Sequence, residues 1–128
     1  MKQIIAITIL SILVNALCLW DFIYTNKVFS HMEKESVEIY NSLLTTPITD
    51  EEVSGRILNL KEYWTKHMDA LAISISRKDL QPISDQLQFL DSSITNNDQE
   101  SAITYSLLLK YNIEGLNEVI SLSLVNIL

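Results

Sequence analysis

His31 and His67 are the two histidines of the chain and Cys18 is its one cysteine. Neither histidine has a second at the i, i+4 spacing by which a helix presents two imidazoles to a metal. Glu62 and Asp69 flank His67, but one imidazole among carboxylates reads as a surface or half-buried structural residue. Glu33, Glu35 and Glu38 fan around a helix, and Asp50-Glu51-Glu52 stands at a helix start. Neither group is followed by the glycine turn of a calcium loop. Paired acids for glycoside chemistry need a cleft, which a narrow helical protein does not promise. With two glycines in 128 residues, there is no phosphate cradle and no nucleophile elbow. Ser74, Ser76, Ser92 and Ser93 stand in no nucleophile context. No catalytic, cofactor-binding or metal residue is therefore expected, and the protein is not expected to be an enzyme.

The large amphipathic side chains remain. Trp64 sits on an apolar helical stripe and reads as a core anchor, with the centre of a protein-binding patch as the alternative. The Tyr63-Trp64 pair points two ways around its helix, so one ring is expected to be partly exposed. Tyr105 and Tyr111 read as core rings whose hydroxyls reach the edge.

The elements that must position these residues start with a nearly continuous apolar run, Ile4 to Trp20, that carries no charge. At 1.5 Å per residue it covers roughly 25 Å, and Phe22, Ile23 and Tyr24 lengthen it past Asp21. Lys2 lies on its short side, and Trp20 and Tyr24 suit the headgroup level, so these three mark the expected membrane interface. Residues 1–24 read as an uncleaved signal-anchor with the short end inside and residues 25–128 as an extracytoplasmic domain. A cleaved secretory signal, with small residues at Val14-Asn15-Ala16, is the rival, and an ordinary buried helix is the third reading. Cys18 lies within the run and leaves the domain without a disulfide.

All of the net charge of −7 falls beyond residue 24. A surface of that sign repels phosphates, which excludes nucleic acid as a partner and predicts a domain that stands off anionic lipid or meets a protein.

The anchor helix is expected to run on through Leu44 on a loose stripe of Phe29, Met32, Ile39, Tyr40 and Leu43, and to stop before Pro47. Thr49 and Glu52 form a capping-box spacing for the second helix. Val53, Ile57, Leu60, Trp64, Met68, Leu71 and Ile75 then give the clearest apolar face in the chain. After the break at Ser76-Arg77-Lys78-Asp79, Asp79 can cap a third helix with Pro82 in its first turn and a stripe of Leu80, Ile83, Leu87, Leu90 and Ile94. Asn96-Asn97-Asp98 makes the next turn, with capping-box spacing from Asn97 to Glu100. The last helix starts near Asp98 and buries Ala102, Tyr105, Leu109, Ile113, Leu116 and Ile120, with Leu107, Leu108 and Tyr111 broadening that face. Gly115 weakens it by roughly 1 kcal/mol relative to alanine. Residues 119–128 read as a helix end followed by a tail docked on the bundle. The fold class is all-α: a transmembrane helix and a small antiparallel bundle of three to four helices.

The whole pattern resembles a family. A leading anchor, a tryptophan in the long second helix, the turn Thr95-Asn96-Asn97-Asp98-Gln99-Glu100-Ser101-Ala102 and the closing Leu122-Ser123-Leu124-Val125-Asn126-Ile127-Leu128 are similar, over nearly the full length, to the bacterial domain-of-unknown-function family 4363. These are short single-anchor helical proteins of spore-forming Gram-positive lineages. Arg77-Lys78 occupy a place where that family tends to carry a basic residue or a histidine. The resemblance implies no activity, but it does imply a multi-pass membrane protein as company. The expectation is thus a membrane-anchored accessory or interaction protein of the cell envelope, whose partner is another integral membrane protein or a second copy of itself. The contact residues would come from the final hairpin or from Leu124, Ile127 and Leu128. An extracytoplasmic ligand sensor working through a partner, with a pocket between the second and fourth helices, and a secreted helical protein are the alternatives.

Overall fold

A computed structural model describes the backbone of residues 1–127 and the side chains of residues 1–122. It holds four helices and, among the described residues, no strand: α1 (Lys2–Thr45), α2 (Glu51–Leu71), α3 (Arg77–Thr95) and α4 (Gln99–Ile127). α1 packs against α2 and α4, and α3 packs against the same two, so the helices stand at the corners of a square in chain order. Short turns make neighbours antiparallel.

α1 is one helix of 44 residues. Its first nineteen residues, Lys2 to Trp20, are exposed, and full burial begins at Thr25. From there Val28, Phe29, Met32, Ser36, Ile39 and Leu43 line the bundle. Ser36 takes a core place because its hydroxyl donates to the Glu33 carbonyl of its own helix at 2.9 Å, and its small size lets a neighbour close in. Ser93 and Ser106 are buried the same way. α1 ends as expected before Pro47, with Thr46 extended.

The α2 stripe is buried from Val53 through Leu71, except Met68, which is only partly covered. Ile48, in the loop before it, plugs the far end of the core at 1% exposure. The cap is Asp50, not Thr49: Asp50 Oδ1 accepts from the amides of Glu52 at 2.9 Å and Val53 at 3.3 Å. Either residue type can cap, and the one that immediately precedes the first helical turn does so. α3 likewise is capped by Ser76 rather than Asp79, through the Lys78 amide at 3.3 Å. Pro82 consequently falls in the second turn of α3, on its solvent side, and not in the first.

The α3–α4 turn is tighter than a capping-box pattern suggests. Asn97 adopts φ 50°. Its amide donates to the Ile94 carbonyl and the Asp98 amide to the Ser93 carbonyl, the paired bonds of a Schellman ending. Asp98 then caps α4, accepting from the Ser101 amide at 3.1 Å and hydroxyl at 2.6 Å. These bonds hold its carboxyl below the usual aspartate range.

Three expectations about α4 are corrected. The backbone stays helical past Gly115 and through Ile127, rather than ending in a separate tail. Tyr111 is 58% exposed rather than a core ring, and Leu108 is exposed as well. The buried line is Ala102, Ser106, Leu109 and Ile113. One face is enough to fill a square bundle, so the second apolar face of α4 is left outside.

Candidate functional site

Trp64 is 1% exposed. Its indole N–H donates to Ser84 Oγ at 2.7 Å across the α2–α3 seam, and Ser84 in turn reaches Met68 Sδ at 3.2 Å. Its ring meets Phe29 at 6.3 Å and 60°. Trp64 is therefore a core anchor, and the alternative of a binding-patch centre is set aside.

Tyr63 is half-buried, as its place beside Trp64 implies. It lies between the two histidines, with ring centroids 4.2 Å from His31 and 4.4 Å from His67. Tyr24 turns toward the bundle and shares a hydrogen bond of 2.5 Å between its hydroxyl and His67 Nδ1. Four rings from α1 and α2 thus make a stack that sequence spacing did not foretell, since His31 and His67 stand on different helices. Burial, then the charges of Lys66, His31 and Lys27, lower the affinity of His67 for a proton. Burial, then Tyr24, raise the pKa of Tyr63. Both groups are pushed toward their neutral forms, which suits packing and not proton transfer at an ionised phenol. Asp69 does not reach His67; it pairs with Arg77 at 3.2 Å. Among the described residues no three of His, Cys, Asp and Glu group as a metal site.

Among the described residues the interior is one continuous apolar cluster. The best-formed cleft, about 340 Å³, is open and lies at the anchor end of the bundle. Cys18, Asp21, Phe22 and Thr25 of α1 face Leu116, Val119 and Ile120 of α4 across it, with Ser74, Ile75, Ser76 and Asp79 at its side. Ser74 donates to Asp21 Oδ2 at 2.6 Å and ties the α2–α3 turn to α1 at this level.

A surface feature accompanies the cleft. Leu108, Tyr111, Gly115, Val119 and Leu122 are all exposed and step by 3, 4, 4 and 3 along α4. They form one apolar stripe facing away from the core; Tyr111, Val119 and Leu122 are 58%, 59% and 58% exposed. A Cβ built on Gly115 meets nothing within 4 Å, so the middle of the stripe is open. Its period was readable, but so was the buried one beside it, and the two were merged into a single broad face.

Lys2 and Trp20 are exposed on α1, Trp20 at 73%. The side chains of Leu124, Ile127 and Leu128 lie outside the described residues. The apolar run is long and apolar enough to cross a membrane, and none of that window is buried in the bundle, although a signal sequence would look the same. No family model, curated protein or solved structure matches the chain.

Proposed function

We propose that this protein is a membrane-anchored helical interaction subunit whose bundle lies outside the cytoplasm and whose partner is another integral membrane protein. The observation that carries this reading is the α4 stripe from Leu108 to Val119. Its core-facing side is already satisfied, so the stripe contributes nothing to the fold. Contiguous exposed apolar surface of this kind marks interaction sites. It also descends the bundle toward the apolar run of α1, where a membrane-embedded partner would stand beside it. Gly115 in its middle admits the close approach of another helix. The resemblance to family 4363 implies the same kind of company. The sensor alternative asked for a pocket between α2 and α4, and the filled interior lends it no support.

The test is site-specific photo-crosslinking in intact cells from position 111, with position 58 on α2 as the exposed control. The expected result is one integral membrane protein crosslinked from position 111 and lost on Val119→Asp, with unchanged thermal unfolding of the variant. Crosslinking that is equal from both positions, or extraction of the protein by alkaline carbonate, would overturn the proposal.

A further inference from the structure

The anchor end of the bundle carries a second set of features that the α4 stripe does not explain. Ile73, at the tip of the α2–α3 turn, is 87% exposed, more than Trp20 on the apolar run. The Ser74–Asp21 bond fixes that tip one residue beyond Trp20 along α1. On the opposite side α4 comes down antiparallel to α1, and Val119 and Ile120 stand level with Phe22 and Asp21 across the cleft. The backbone of α4 stays helical for seven more residues, to Ile127, which is roughly 10 Å of further descent. From Val119 to Leu128 the sequence holds no charged residue.

Charge is distributed to match. Asp50, Glu51, Glu52, Asp98 and Glu100 gather at the far end, around the α1–α2 loop and the start of α4. At the anchor end the cations Lys27, Lys66, Arg77 and Lys78 stand with Asp21, Asp69, Asp79 and Glu118. Asp21 is bonded to Ser74 and Asp69 to Arg77. The net negative charge therefore faces away from the apolar run, and the repulsion expected of the whole domain is weakest at this end.

We propose that the bundle is seated in the outer leaflet, with the Ile73 tip and α4 at Leu122 in contact with lipid acyl chains. The inference rests on the reading of α1 as a membrane span. The occupant is lipid because the same level of α1 is the boundary of that span: what surrounds Trp20 also surrounds a tip tied to Asp21. Contact is driven by apolar burial and not by charge, so zwitterionic lipid suffices.

The full-length chain, carrying Cys18→Ser, is given a single cysteine by Ile12→Cys, Ile73→Cys, Leu122→Cys or Thr49→Cys. Each variant is labelled with a polarity-sensitive fluorophore and reconstituted into phosphatidylcholine vesicles containing nitroxide-bearing lipid. Labels at positions 12, 73 and 122 are expected to lose most of their emission to the lipid nitroxide, and the label at 49 to keep it. Quenching at 12 with an aqueous label at 73 or 122 overturns the seating and leaves the span intact. A label at 73 or 122 shielded from aqueous iodide yet unquenched by lipid means that protein covers it, which also overturns the seating. An aqueous label at 12 defeats the span itself, and the seating with it.

Discussion

Gln99 joins the far end of the bundle through three hydrogen bonds, and a single-atom change tests two of them. Its Nε2 donates to the carbonyls of Leu43 at 2.7 Å and Thr46 at 3.0 Å, while Oε1 accepts from the Ile48 amide at 2.6 Å. The first residue of α4 thereby satisfies carbonyls that the end of α1 leaves open. Gln99→Glu keeps size and the Ile48 bond but replaces a donor of two bonds with an oxygen facing two carbonyls. Two lost bonds at about 0.5–1.5 kcal/mol each, plus the cost of partly burying a mispaired anion, come to about 2–4 kcal/mol. For a bundle of this size that lowers the melting temperature by roughly 10–20 °C. The introduced carboxyl is harder to ionise in the folded than in the unfolded state. The penalty is therefore largest at neutral pH, and about half of it is relieved near pH 4, where the protonated acid regains one donor. The assay is far-ultraviolet circular dichroism melting of the full-length chain in detergent micelles. Wild type, Gln99→Glu and the neutral control Gln99→Met would be compared at both pH values, the control showing a loss that does not change with pH. A Gln99→Glu protein that melts with the wild type at neutral pH, or whose deficit is the same at both, would refute the reasoning.

Trp64→Ala should cost about 3–5 kcal/mol as the cavity term of a fully buried ring, read by urea unfolding followed through circular dichroism. Ser84→Ala should cost about 1–3 kcal/mol by leaving the indole N–H buried without an acceptor, and a double-mutant cycle on the pair should show coupling. Additive losses would mean that the 2.7 Å contact carries no energy. His67 binds its proton less tightly in the folded chain, so the unfolded chain takes up the proton first as pH falls. Stability is accordingly retained above the ordinary histidine range near pH 6.5 and lost as pH drops through it. His67→Gln should flatten the melting temperature between about pH 7.5 and pH 5.5, and an equal slope in both proteins would count against burial and the neighbouring cations as what weakens proton binding at His67.

Legibility in the sequence varied with distance along the chain. The core residues of α2 and α3 could be read directly, because one apolar face of period 3.6 leaves one way to bury it. The caps at Asp50 and Ser76 were missed by a few residues, since Thr49 and Asp79 are competent caps and only the backbone path decides between them. α4 was the hardest element. Leu107, Leu108, Tyr111 and Val119 spread apolar side chains around the helix, and periodicity cannot say which side meets the bundle. Of the candidate site, Tyr63 was rightly placed as half-buried, but its sandwich between His31 and His67 depends on how α1 and α2 align. The Gln99 bonds span 51 to 56 residues, and no local pattern announces a side chain that serves another helix. The outward stripe needed knowledge of which α4 face the square leaves empty.

Neither glycine nor proline occurs between Lys2 and Thr45, and α1 runs the whole distance without a joint. It is a lever of roughly 66 Å. A tilt of about 10° about the middle of its apolar run would swing the Thr45 end by roughly 9 Å. The other three helices, clamped to its outer half, would travel with it. On the proposed reading of α1 as a membrane span, a partner that grips α4 from the side also steers the angle at which the shaft passes through the lipid.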